Sequence, residues 1–143
     1  MTETPFNVGT LIESRYRVLT VIGSGGMGTL YRVSDEARSN EILALKTVRL
    51  KTQTTERAES AERFQREFQL LTQLRHPNLV SVYNFGITTN SELYFSMEWI
   101  EGEDLEPKQH PLEPAATIPV MIQVCRALAY LHARGVIHGD LKP

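Results

Sequence analysis

Ile22-Gly23-Ser24-Gly25-Gly26-Met27-Gly28 matches G-x-G-x-x-G and lies between two runs of strand character, Tyr16 to Ile22 and Leu30 to Val33. Without β-carbons, a loop of this kind lets the backbone approach phosphate oxygens and present its amide groups to them. Alone the pattern is weak, because a glycine-rich hairpin with no ligand would read the same way. Its surroundings narrow it. A dinucleotide-binding loop leads into a helix with an acidic residue about 20 positions on, whereas this loop leads into the strand-like Leu30-Tyr31-Arg32-Val33.

Outward from the loop, Met1 to Ser14 is polar and reads as irregular. After the second run, Ser34 to Asn40 is a polar turn and Ile42 to Val48 a third strand, so three antiparallel strands are expected. From Thr55 to Leu74 the period becomes helical, with Phe64, Phe68, Leu71 and Leu74 spaced four, three and three apart, until His76-Pro77-Asn78 stops it. Leu79 to Phe85 and Leu93 to Ile100 are two further strands, separated by Gly86 to Ser91. Pro107, Pro111, Pro114 and Pro119 then precede a helix through Leu131 whose residues are apolar nearly all round, including Ile118, Val120, Met121, Ile122, Val124, Cys125 and Leu128. Such helices normally lie inside a protein. The predicted organisation is an extension over 1–14, an α+β unit over 15–100 with five antiparallel strands and one helix, and a new unit over 101–143.

Bulk properties exclude more than they identify. The chain of 143 residues is 41% hydrophobic and 22% charged with a formal net charge of −2, which gives no electrostatic case for nucleic acid or an anionic membrane. No stretch reads as approaching the ~20 apolar residues of a membrane span, and Met1 to Gly9, with acidic Glu3, does not resemble an export signal. The single cysteine, Cys125, reads as a small buried hydrophobe and fits a reducing cytoplasm.

Two charged residues stand out against apolar backgrounds. Lys46 ends Ala44-Leu45-Lys46 in a strongly apolar strand, so its ammonium must reach the edge or meet an anion. Glu67 falls within the arc spanned by Phe64, Phe68, Leu70, Leu71 and Leu74, at ~100° per residue, and a carboxylate buried there needs a partner. Lys46 is the obvious cation, and the expected pair points beneath the glycine loop.

Together these residues resemble the protein kinase signature set along almost the whole chain. Arg15-Tyr16-Arg17-Val18 leading into Ile22 to Gly28 is similar to the opening of bacterial, eukaryotic-like serine/threonine kinases. Phe64-Gln65-Arg66-Glu67 and Leu74-Arg75-His76-Pro77-Asn78-Leu79-Val80 resemble that family's αC helix and the turn after it. Phe95-Ser96-Met97-Glu98-Trp99-Ile100-Glu101-Gly102 resembles the strand and hinge that bind adenine. Arg126 to His132 and Val136-Ile137-His138-Gly139-Asp140-Leu141-Lys142-Pro143 resemble the long C-lobe helix and the catalytic loop. The fold so implied is a kinase N-lobe, a five-stranded antiparallel sheet plus the αC helix, followed by the hinge and the first large helix of a C-lobe.

The resemblance also implies roles. ATP is the expected cofactor, with Gly23, Gly25 and Gly28 folding over its phosphates, Ile22 and Gly26 beside them, and Lys46 on the α- and β-phosphates, fixed by Glu67. Leu30 and Ala44 would flank the adenine, backbone groups of Glu98 and Ile100 would bond its edge, and Met97 would occupy the gatekeeper position. Asp140 would orient or deprotonate the hydroxyl of a serine or threonine in a protein substrate, Lys142 would steady the γ-phosphate, and His138 would brace the loop. Mg2+ is implied as well, its ligands expected past Pro143, so these 143 residues are expected not to complete phosphoryl transfer alone.

The sequence departs from the family pattern in places. Leu30 stands where valine is usual, Leu105 to Leu112 is short and proline-rich, and Gly139 replaces the arginine that would read an activation-loop phosphate. Two other readings compete: a pseudokinase or scaffold module that binds nucleotide without catalysis, and a small-molecule kinase, since His138-Gly139-Asp140 also opens the catalytic loops of aminoglycoside and choline kinases. Self-association through the apolar helix over 118–131 is a further expectation.

Overall fold

The structure, a computed structural model, describes residues 6–26, 28–49, 54–102, 113–139 and 141, the side chains of 54–61 excepted. The chain divides into two compact units. The first holds the residues up to Leu74 together with Ser81–Trp99, and the second holds Arg75–Val80 and the residues from Ile100 onward.

Apolar and β-branched alternation produces one antiparallel sheet in the first unit. Its strands are β1 (Leu11–Ile12), β2 (Tyr16–Gly25), β3 (Gly28–Asp35), β4 (Glu41–Val48), β5 (Val82–Ile87) and β6 (Leu93–Glu98), in the spatial order β1-β2-β3-β4-β6-β5. Register sorts the side chains into two faces, because residues directly opposite one another point the same way. Tyr31 lies opposite Leu45, and Val33 opposite both Val18 and Leu43. These residues, with Tyr16, Ile12 and Phe6, form the buried core. The other face carries the cross-strand rows Leu30–Lys46–Phe95 and Arg32–Ala44–Met97.

The sheet has six strands where the sequence pattern shows five. The sixth, β1, comes from the segment expected to be irregular, and pairs Leu11 with Arg17 and Ile12 with Tyr16. Ile12 and Phe6 are buried, and the Phe6 ring meets Tyr31 edge-on at 6.1 Å. A two-residue strand is too short to show alternation, and burial of Phe6 is decided by residues distant in sequence. At the base of the β2–β3 hairpin, Arg15 donates from Nε and Nη2 to the two carboxylate oxygens of Asp35, both at 2.8 Å. Burial alone would raise the Asp35 pKa, yet these hydrogen bonds and the Arg15 charge hold it below the ordinary carboxylate range, and the same pair raises Arg15.

The helix α1 (Thr54–Leu71) lies on the sheet through Phe68, whose ring is 4.6 Å from Phe95 and 6.2 Å from Phe85. Phe64 stacks on Phe68 at 4.1 Å, while Leu70 is 59% exposed. The half-buried stripe therefore centres on Phe64, Phe68 and Leu71. That centre leaves Glu67 roughly 70° off its middle and Leu70 roughly 130° off, and Glu67 is exposed. The expectation of a carboxylate centred on the apolar face is corrected here: counting Leu70 and Leu74 as core pulled the inferred face toward Glu67.

In the second unit, α2 (Pro114–His132) begins at a proline, where the missing N–H costs nothing, and continues through Pro119. It closes in a Schellman motif: Val136 N donates to Leu131 O, Gly135 N donates to His132 O, and Gly135 takes φ +70°. Asn78 Nδ2 donates to Gln123 Oε1 at 2.8 Å, and Arg75 N donates to Tyr130 Oη at 3.0 Å, fastening the 75–80 segment along the helix. Among the described residues of α2 only Ala127 and Leu131 are buried. Cys125 is exposed, contrary to the buried position expected. Because the helix takes in both Pro114 and Pro119 it runs to 19 residues, with an 18-residue window of mean hydropathy 1.3. By length and composition alone that meets the measure of a membrane span, which corrects the expectation that no stretch would.

Candidate functional site

The β2–β3 hairpin carries the glycine loop. Gly23 lies opposite Leu30, Ser24 opposite Thr29 and Gly25 opposite Gly28, with register shifts between Val18 and Thr20 and between Val21 and Gly23. The second shift leaves Ile22 without a cross-strand partner, and its side chain is 47% exposed. Such bulges re-aim a strand end, here the arm that bears the first glycines.

The glycines differ in why they are glycine. A β-carbon on Gly23, Gly25 or Gly26 would meet nothing, so the space beside their backbone is open. Gly28 is different: its φ is +145°, and a β-carbon there would collide with the carbonyl of Thr47. The third glycine is required by the approach of β3 to β4, not only by what binds above the loop.

Beneath the hairpin, β4 brings Ala44 and Lys46 onto one face, with Leu30 opposite Lys46 and Met97 opposite Ala44. Ala44 is buried and Lys46 exposed. An aliphatic surface with an exposed ammonium at its rim, next to a loop with open space where its glycines lack β-carbons, suits a ligand that is flat and apolar at one end and polyanionic at the other. Met97 is half-buried and bounds this surface at β6. Glu98 N donates to Ser81 O at 2.9 Å, so an adenine edge at Glu98 could use only its carbonyl oxygen. The Arg32 guanidinium lies 5.2 Å over the Trp99 ring at the end of this strand.

Several expected site residues are not brought together. Among the described residues no hydrogen bond or ion pair joins Lys46 to Glu67, and both are exposed. Ile100 belongs to the second unit and is 57% exposed. Asp140 and Lys142 lie outside the described residues, as does Leu105 to Leu112. Sequence reading passed over Thr29 and Thr47, both buried and facing each other across β3 and β4. The available signal was a pair of hydroxyl residues at core-facing positions of otherwise apolar strands.

Comparison with known proteins bears on the family and the fold. A model of the protein kinase domain matches residues 16–143. The serine/threonine-protein kinase pkn3 of Myxococcus xanthus is 37% identical over 139 residues, covering 95% of this chain and 25% of that protein. PrkC of Bacillus subtilis, also a serine/threonine-protein kinase, is 35% identical with 95% of this chain and 21% of its own length covered. The crystal structure of the Mycobacterium tuberculosis PknI kinase domain superposes with a TM-score of 0.79 at 26% identity, covering 96% of this chain and 55% of that one. The chain thus spans a quarter or less of these curated relatives and about half of the solved kinase domain. None of these relatives is a small-molecule kinase, so that reading of His138-Gly139-Asp140 has no support. A glycine hairpin over an exposed lysine, the strand order that holds them, and a domain match across nine-tenths of the sequence lead to one assignment: this chain belongs to the protein kinase domain family.

Proposed function

We propose that this chain forms the nucleotide-binding part of a serine/threonine protein kinase, in a protein that transfers the γ-phosphoryl group of ATP to serine or threonine hydroxyls of other proteins. The observation that carries the proposal is the row Gly23–Leu30–Lys46, which places an open glycine arm, an apolar residue and an exposed ammonium side by side. The residues fit ATP. Backbone amides of the loop from Gly23 to Gly28 hold phosphate oxygens, Lys46 neutralises the α- and β-phosphates, and Leu30 and Ala44 cover the base. When bound, ATP would supply the phosphoryl group and Mg2+ would supply charge neutralisation.

The remaining roles rest on the resemblance of Val136 to Pro143 to the catalytic loop and of Phe64 to Glu67 to the αC helix. Asp140 orients the acceptor hydroxyl, Lys142 steadies the transferring group, and Glu67 fixes Lys46 once α1 turns to bring it inward. Asp140-Leu141-Lys142-Pro143 is the serine/threonine form of that loop. We place the activity in the cytoplasm, where a lone thiol at Cys125 stays reduced.

The test is a thermal shift with ATP. A rise in Tm with ATP that is lost in Lys46→Met supports the reading, and a wild-type protein indifferent to ATP overturns it. In the full-length protein, radiolabel recovered on phosphotyrosine alone would overturn the choice of hydroxyl.

A further inference from the structure

We infer that the Thr29 hydroxyl is a positioning group for the phosphate-binding loop, locking the free arm of the hairpin to the strand that carries Lys46. This deepens the nucleotide-binding reading above and rests on it. The two arms of the hairpin are held very differently. The second arm is clasped to β4 at consecutive residues: Gly28 packs its bare backbone against the Thr47 carbonyl, and Thr29 N donates to Thr47 Oγ1 at 3.3 Å. Thr47 Oγ1 in turn faces Thr29 O at 3.5 Å, a long contact. Thr47 is the immediate neighbour of Lys46, so this arm is fastened to the strand that carries the lysine.

From Gly23 to Gly25 the first arm pairs with β3 and is not adjacent to β4. Gly23 and Gly25 carry no side chain, space beside them is open, and Ile22 is half exposed without a cross-strand partner. The side-chain tie described between the arms is Ser24 Oγ to Thr29 Oγ1, at 3.1 Å. Thr29 is 1% exposed, so valine would fill its place with the same shape, and a buried hydroxyl is costly unless bonded. The hydroxyl therefore couples exposed Ser24 on the first arm to Thr29, whose backbone N–H is bonded to buried Thr47, the neighbour of exposed Lys46. Phosphates bridging loop amides and Lys46 depend on that coupling. A nucleoside lying on Leu30 and Ala44 does not.

The experiment measures ATP and adenosine affinities, with amide hydrogen exchange across residues 20–30 in the ligand-free protein. Thr29→Val is expected to weaken ATP about fivefold, the worth of one hydrogen bond, to leave adenosine within about twofold, and to speed exchange at Gly23 to Gly26. Thr29→Ser restores both. Ser24→Ala, at an exposed position that cannot unfold the core, reproduces the loss, and the double variant Ser24→Ala/Thr29→Val loses no more than either single one. Equal losses for ATP and adenosine, unchanged exchange, a Thr29→Ser that behaves like valine, or additive single losses would overturn the inference. A wild-type protein that binds neither ligand overturns the nucleotide reading instead, and unaltered loop exchange in Ser24→Ala then removes the tie as well.

Discussion

Gly28 and Thr47 approach so closely that the carbonyl of Thr47 occupies the volume a β-carbon on residue 28 would need. The obstacle is backbone, which cannot rotate away, and Gly28 also holds φ +145°. Gly28→Ala is therefore expected to cost about 3 kcal/mol or more of folding stability. Gly25→Ala, facing open space, should cost under about 1 kcal/mol. Urea denaturation of the two variants decides it, and equal stability of both would refute the distinction.

Lys46 and Glu67 are both exposed and make no ion pair with each other here. In protein kinases phosphoryl transfer requires the pair to be in place. Turnover of the full-length protein should therefore show Lys46→Met and Glu67→Gln as strongly non-additive, the double variant losing little more than the worse single one. Folding stability should respond differently: Glu67→Gln, at an exposed helix position, is expected to stay within about 0.5 kcal/mol of wild type. Multiplicative losses in turnover would exclude a catalytic pair.

Arg15 and Asp35 give the first unit an acid-sensitive clasp. Asp35 has a folded pKa below its unfolded value, which is near 3.9. Its contribution is thus complete above about pH 4 and is lost as pH falls through the lower folded value. Arg15→Ala should lower stability at pH 7 by about 2 kcal/mol, since a buried carboxylate loses its bidentate partner. It should also flatten the loss of stability below about pH 4. Denaturation midpoints between pH 2 and 7 for both proteins supply the check.

The apolar strip of α2 bears Ile118, Met121 and Ile122, which are 58%, 44% and 46% exposed, with Cys125 beside them. Exposed apolar surface of that extent drives association. The 143-residue polypeptide is expected to gain mass with concentration in light scattering, and Met121→Lys or Ile122→Glu to reverse this. Labelling of Cys125 by a thiol reagent should slow as concentration rises. A monomer at all concentrations would contradict it.

Much of this protein was readable in order of residues. Apolar, β-branched and aromatic runs bounded by glycines and polar turns located five of the strands, as in Leu30 to Val33 and Ile42 to Val48. Glycine spacing located the loop, and the strand after it excluded the dinucleotide-binding alternative. What only the tertiary structure decided has a common cause: it depends on contacts between residues far apart in sequence. Phe6 and Ile12 enter the core because Tyr16 and Tyr31 are there to receive them. Glu67 faces outward because Phe68, meeting Phe85 and Phe95, turned the helix away from the face that counting every leucine suggests. Gly28 is fixed by the Thr47 carbonyl, and the two hydroxyls of Thr29 and Thr47, unremarkable along the chain, meet only when β3 lies against β4.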